Sequence, residues 1–171
     1  MKITGAQMVW ESLVQEGVEA IGVCFMNAFA NNQHEEEVGR FIQEKIPQVY
    51  LTISNRLLPS IRFYDRVSTT VLNSYVGPTL KRYLSALTSK LRQAKYEGIL
   101  LIMQSNGGVI APDLAVERAA ATLLSGPAGG PVAGVEYTSI QGYDDCITVD
   151  MGGTSFDVGL ISGGVFEEQN N

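Results

Sequence analysis

Two short apolar runs, Cys146 to Asp150 and Phe156 to Ile161, are separated by Met151-Gly152-Gly153-Thr154-Ser155. Each run is too short for a helix and alternates as a strand does, so the segment predicts strand–turn–strand. Gly152 and Gly153 are expected to turn with positive φ and to let a ligand approach with no side chain in the way. Successive N–H groups at such a turn form an anion cradle. Thr154 and Ser155 add hydroxyl donors. Asp150, closing the first strand, and Asp157, on the returning one, supply hard oxygens suited to Mg²⁺ or its waters. An ordinary hairpin explains two glycines; the whole set of Asp, Gly-Gly, Thr-Ser and Asp favours a nucleotide phosphate. No helix follows the glycines and the turn has no lysine, which excludes a Walker loop and a Rossmann turn.

Upstream, helical and strand patterns alternate. Met8, Val9, Leu13 and Val14 recur at helical spacing, and Gly17 ends that helix. Ala20 to Phe25 reads as a buried strand. A second helix is predicted from Gln33 to Lys45, with Val38, Phe41 and Ile42 facing inward and Pro47 stopping it. Its start, His34-Glu35-Glu36-Glu37, reads as a solvated turn favoured by the helix dipole. Val49, Leu51 and Ile53 alternate as the next strand. Helix–strand–helix–strand order points to an α/β layer with parallel strands.

Asp65 to Tyr96 is one long helical stretch with Gly77-Pro78 inside it, where a break or sharp kink is expected. Val67, Val71, Leu72, Tyr75 and Val76, then Leu80, Tyr83, Leu84, Leu87 and Leu91, are expected to line its core face. Arg56, Arg62 and Arg66 read as solvated or interdomain pairs, with ligand contact as the alternative. Ile99 to Met103 reads as a strand closed by Ser105-Asn106-Gly107-Gly108, which suits a ligand loop and a tight connection equally. Helix is expected from Asp113 to Ala121. In Ser125-Gly126-Pro127-Ala128-Gly129-Gly130 the small residues permit close packing or close approach to a nucleotide, before a short helix to Tyr137.

The chain has 171 residues, 45% of them hydrophobic, enough for one domain or parts of two. No apolar run reaches the ~20 residues of a membrane span, and the polar start does not read as a signal peptide. A net charge of −6 argues against a nucleic-acid partner. Cys24 and Cys146 lie in apolar stretches and read as buried free thiols of a reducing cytoplasm. One histidine and no paired cysteine spacing leave no zinc site.

The segments Leu101 to Gly108, Leu123 to Gly130 and Asp150 to Val158, with Asn27 to Glu35 and Arg66 to Tyr75, together resemble the hydantoinase A/5-oxoprolinase family. The resemblance implies an actin-like ATPase (ribonuclease H-like) fold, here partial, whose long kinked helix joins two α/β parts. It divides the chain into 1–62, the end of an N-terminal domain, and 63–171, the start of the main domain. It implies ATP and Mg²⁺ as cofactors and a cyclic amide such as hydantoin or 5-oxoproline as substrate, opened after phosphoryl activation. A ketone carboxylase is the alternative, and a hydantoinase B-type subunit or domain is the implied partner. By that resemblance Asp150 positions Mg²⁺ through water, and Gly152, Gly153 and Thr154 hold the β/γ-phosphates. Ser155 is a further phosphate contact, and Asp157 supports the loop or orients water. Ser105, Asn106, Gly107, Gly108, Gly126 and Gly129 are candidate ligand-loop residues. Phe156 stands where many members have Thr and suits the buried face of a returning strand. The family's first Asp-x-Gly-Gly-Thr hairpin and its adenosine segment have no match here. The chain therefore reads as an internal fragment, or a non-catalytic remnant, expected to be inactive alone.

Overall fold

The computed structural model describes residues 5–166, which form two compact units. The first comprises residues up to Glu97 together with Val116–Ala120, and the second the remainder from Gly98.

In the first unit, α1 (Gly5–Gln15), β1 (Ala20–Val23), α2 (Gln33–Lys45) and β2 (Tyr50–Ile53) follow the expected order. Gly17 ends α1 with φ of 63°, a left-handed value that costs glycine little. The two strands are parallel, with Ala20 opposite Tyr50 and Val23 opposite Ile53. Val23, Ile42, Ile46, Val49 and Ile53 form the core, flanked by Trp10, Ile21, Val38 and Leu51. Phe41 does not join them: it is exposed, and its ring meets Trp10 edge-on at 5.6 Å.

A short α3 (Ser54–Leu57) leads to α4 (Phe63–Gln93), which packs on the other face of β1 and β2. No break occurs at Gly77-Pro78; the helix is continuous through both. Its buried residues are Arg66, Thr70, Asn73, Gly77 and Leu84. Val71, Leu72, Tyr75 and Tyr83, expected inside, are exposed. The reason is the space between helix and sheet. A Cβ on Gly77 would lie 2.0–2.4 Å from the Tyr50 ring, so the Tyr50 ring fills the space that a side chain at 77 would need. Asn73 then donates from Nδ2 toward Tyr50 Oη at 3.0 Å, Thr52 Oγ1 at 3.1 Å and Glu117 O at 3.1 Å. Its Oδ1 accepts from Ala120 N at 2.9 Å, and Tyr50 Oη donates to Val116 O. Those bonds bring Val116–Ala120 into the first unit.

Glu35 also departs from expectation. It is fully buried rather than solvated and accepts from Phe25 N and Ser54 Oγ, each at 2.7 Å, and from Asn55 N at 3.0 Å. Arg66 is buried as well, donating to the carbonyls of Phe25, Met26 and Ser60. Arg56 pairs with Glu36 within the unit, and Arg62 lies 3.9 Å from Asp65.

The second unit opens with the hairpin β3 (Ile102–Met103) and β4 (Val109–Ile110), followed by α5 (Pro112–Glu117), which runs on into the first unit, and a 3-10 turn at Ala119–Thr122. Then come α6 (Ser125–Ile140), β5 (Cys146–Met151), β6 (Phe156–Ser162) and β7 (Val165–Phe166). The last three strands form an antiparallel sheet in chain order, and α6 packs on one face of it. No helix among the described residues is long and apolar enough to cross a membrane. Both cysteines are free and half-buried rather than fully enclosed.

Two outcomes are expected. An alanine in a helix interior is worth about 1 kcal/mol over glycine, but overpacking costs about 1–3 kcal/mol. Gly77→Ala should therefore lower stability in urea, whereas relief of the glycine alone would raise it. Burial holds the Tyr50 hydroxyl above its ordinary value of 10.0; the Asn73 hydrogen bond opposes this and the Glu117 charge adds to it. The folded state thus prefers the neutral phenol, so its contribution is intact below pH 10 and lost as pH rises through the raised value. The urea midpoint should fall more steeply above pH 10 in the parent chain than in Tyr50→Phe.

Candidate phosphate-binding site

The helix α6 lies unusually close to its sheet, and glycine is the reason. A Cβ on Gly134 would come within 2.3 Å of Thr148 Cγ2, and one on Gly159 within 2.5 Å of Pro131 Cγ. The small-residue segment is therefore the first turns of α6 itself, where a separate loop had been expected. Glycines and Pro131 make it a poor helix former, so contact with the sheet stabilises it.

At the start of α6 a cavity of about 260 Å³ is lined by Ser105, Leu124, Pro127, Ala128, Gly130, Pro131, Thr148, Asp150, Asp157, Val158 and Gly159. Three motifs distant in sequence thus share one space. Asp150 and Asp157 are direct partners across β5 and β6 and so stand on the same face of the sheet. Leu124, the N-cap, has a left-handed backbone with φ of 60°, a strained value for leucine. The first N–H groups of a helix have no intrahelical acceptors and carry the positive end of its dipole. The sequence excluded a helix N-terminus directly after Gly153; the fold brings one from Ser125 instead. Pro127 was the available signal, since proline is favoured in a first turn.

The loop between β5 and β6 is exposed. Ser155 Oγ donates to Asp157 Oδ2 at 2.9 Å, and Gly152 N donates to Ser155 O at 3.1 Å. Neither Gly152 nor Gly153 takes positive φ, contrary to expectation, and nothing lies within 4 Å of either Cβ position. Their value to a ligand is open space. Gly152, Gly153, Thr154 and Ser155 do not line the cavity; they stand beside it on the loop that joins its two aspartates. The side chains of Asp150 and Thr154 have no hydrogen-bond partner among the described residues.

Of the other candidates, Ser105 alone in its turn reaches the cavity. Gln104 N donates to Gly108 O at 2.8 Å and Gly107 N to Gln104 O at 3.0 Å. Gly108 N donates to Asn106 Oδ1 at 2.9 Å. Asn106, Gly107 and Gly108 are thereby committed to closing the hairpin, with Gly107 at φ of 79°. Gly126 and Gly129 lie on α6 and are not in the lining. Phe156, expected to be buried, is 62% exposed on the opposite face of the sheet.

Two carboxylates with water and phosphate oxygens for the remaining positions are a donor set suited to Mg²⁺, which keeps several waters. Among the described residues no three His, Cys, Asp or Glu gather as a metal-binding group, so a cation here needs oxygens from its ligand. The arrangement suits a metal–phosphate pair better than a bare ion.

A family model for hydantoinase/oxoprolinase matches residues 66–171. Caprolactamase subunit alpha of Pseudomonas jessenii is 35% identical over 150 residues, covering 88% of this chain and 22% of that protein. The 5-oxoprolinase of Saccharomyces cerevisiae is 30% identical over 166 residues, covering 96% of this chain and 12% of that protein. A nucleotide-free structure of acetone carboxylase, from work on ATP-dependent acetone carboxylation, has a TM-score of 0.79 at 26% identity, covering 93% of this chain and 23% of that one. The chain therefore spans less than a quarter of the length of each of these relatives.

The close approach of α6 to its sheet can be tested directly. Gly134→Ala should cost about 1–3 kcal/mol in chemical denaturation, because Thr148 stands in the way of the new methyl group. Thr148→Ser, which removes the obstructing Cγ2, should recover part of that loss when combined with it.

Proposed function

Because the chain belongs to the hydantoinase/oxoprolinase family, we propose that it supplies one phosphate-binding half of an ATP site in an enzyme that opens cyclic amides. The observation that carries this reading is the cavity shared by Ser105, the first turn of α6 and the Asp150/Asp157 pair. It sets the positive end of the α6 dipole, where Pro127 itself carries no N–H, against cation-seeking carboxylates, a pairing suited to a magnesium-bound phosphate.

In this reading Asp150, exposed and without an internal partner, holds Mg²⁺ through water. Thr154 donates its hydroxyl to a phosphate oxygen. Gly152 and Gly153 leave the space for β- and γ-phosphates to come close. Ser155 holds Asp157 by a hydrogen bond, so that Asp157 keeps the loop in place or orients a water. Gly152 N is engaged by Ser155 O, so that donor becomes free only if the loop opens. With ATP bound, transfer of its γ-phosphoryl group to the amide oxygen would activate the ring carbon; water would add there, the ring C–N bond would break as its nitrogen takes a proton, and the acyl phosphate left would be hydrolysed to carboxylate and phosphate.

The fold proposed is part of an actin-like ATPase, with 1–62 and 63–171 as segments of two family domains; the match beginning at residue 66 supports the second. A cyclic amide is favoured as substrate by the 35% identity to a caprolactamase subunit. An ATP-dependent ketone carboxylase is the second reading, favoured by the likeness to acetone carboxylase. A hydantoinase B-type subunit is the proposed partner, supported by the naming of that caprolactamase chain as one subunit. Two free thiols suit a reducing cytoplasm.

The test is calorimetric titration of Mg-ATP into the intact chain and into caprolactamase subunit alpha carrying this chain in place of its matching region. Hydrogen bonds to charged groups contribute about 1.5–3 kcal/mol, so Asp150→Ala and Thr154→Ala should each weaken binding by about 10- to 100-fold. Their circular dichroism should not change, since both side chains are exposed. Binding that survives both substitutions at full strength rules out the assignment.

A further inference from the structure

We propose that Leu124 selects the substrate at the start of α6, favouring an uncharged lactam with a methylene ring over a cyclic amide that carries a carboxylate. The assignment rests on the phosphate reading of the same cavity. On its α6 side the cavity is lined by Leu124, Pro127, Ala128 and Pro131. None of these side chains can donate or accept a hydrogen bond, and the prolines lack even a backbone N–H. Asp150 and Asp157 are the charged residues of the lining, with no Lys, Arg or His there among the described residues.

Leu124 is unusual twice over. Its backbone is left-handed, with φ of 60° and ψ of 20° at the N-cap of α6. Lys95, the other described non-glycine residue with positive φ, follows the C-terminus of α4, where that conformation is customary. An N-cap ordinarily has extended angles and a short polar side chain. Leu124 has neither, and it is 78% exposed. Leucine therefore gains nothing there from backbone preference, from capping or from burial within the chain. Strain kept beside a cavity points to a role in the cavity.

The chemistry of the wall says what that role is. For its oxygen to take the γ-phosphoryl group, the amide must lie about 3–3.5 Å from the phosphorus. With the metal–phosphate pair against the two carboxylates, the α6 wall is left for the ring. Methylenes placed against Leu124 and the prolines leave water, which favours them. A carboxylate on the ring would meet two aspartates and a polyphosphate, with no cation of the lining to pair with. Like charges in a cleft repel, and the repulsion grows as water is excluded.

Ligand-detected NMR titration of the intact chain, saturated with Mg²⁺ and the non-hydrolysable β,γ-imido analogue of ATP, tests this with three amides. Caprolactam, whose ring has two more methylenes, should bind about tenfold tighter than pyrrolidinone, the low end of what a methylene is worth in an apolar pocket. 5-Oxoproline, which is pyrrolidinone with a carboxylate, should bind at least about tenfold weaker than pyrrolidinone. Leu124→Asn keeps the side chain's size and suits a left-handed backbone. It should be at least as stable in urea as the parent, yet its preference for caprolactam should fall to about twofold or less. Leu124→Met, similar in volume, should retain the preference. A purely structural role would lower all three affinities together and leave their ratios intact. No lactam binding to the nucleotide-loaded chain, equal affinity for caprolactam and pyrrolidinone, or a preference undiminished in Leu124→Asn overturns the proposal and leaves the phosphate reading standing. So does 5-oxoproline binding as tightly as pyrrolidinone. Failure of the parent chain to bind the magnesium–nucleotide overturns both.

Discussion

The first unit depends on burying three side chains that ordinarily remain in water: Glu35, Arg66 and Asn73. Each is buried at a place where backbone groups would otherwise lack partners. Glu35 accepts the N–H groups of Phe25 and Asn55, Arg66 takes the carbonyls of Phe25, Met26 and Ser60, and Asn73 serves Glu117 and Ala120. Phe25 is bonded on both sides, its N–H to Glu35 and its carbonyl to Arg66, so a buried anion and a buried cation are coupled through one peptide. A buried charge is tolerable only when hydrogen bonds replace its water. Arg66 Nε is an exception: it is buried with no partner, while Phe29 and Phe63 place their rings about 5.9 and 5.8 Å from the guanidinium carbon.

The second unit solves a different problem, how to bring a helix close enough to a sheet for both to line one cavity. Gly134, Gly159 and Pro131 set the separation, and that separation brings the helix start and the two aspartates to one cavity. Here glycine serves the site more through proximity than through turning. Gly152 and Gly153, the residues that looked most like a turn device, have ordinary backbone angles; Gly107, Gly142, Gly163 and Gly164 take the positive ones.

Much of the element order was legible. Helix α2 and the β5–β6 hairpin have the expected bounds within a residue or two, because their periodicities are clean and their ends carry glycine or proline. Positions inside and outside were less legible. In α4 the apolar residues are at helical spacing, but so are Arg66, Thr70, Asn73 and Gly77, and the latter set is buried. Hydrophobic periodicity identifies an amphipathic helix and says nothing about which side meets a neighbour whose own surface is tyrosine and backbone. The burial of Glu35 had no local signal at all, since its partners lie at Phe25, Ser54 and Asn55. At the candidate site the aspartate pair was readable from the hairpin, whereas its convergence with Ser105 and the start of α6 required the fold.

Helix α4 and the β5–β6 sheet share an inversion that neither shows alone. In each, polar and small residues predominate toward the internal neighbour, with Leu84 and Ile161 the buried apolar exceptions, and most apolar residues face out. On an isolated helix, exposed apolar residues are ordinary, because more than half of any protein surface is apolar. On the sheet the case differs: three successive cross-strand pairs are apolar, without a polar residue between them. Alternation with this regularity leaves an uninterrupted apolar surface on that side, whereas Thr148 and Gly159 make room for α6 on the other. The α6-facing side of the sheet is polar at Thr148, Asp150 and Asp157 and closely packed at Gly159. The hydrophobic contribution on that side comes from Ile161, 1% exposed beneath α6.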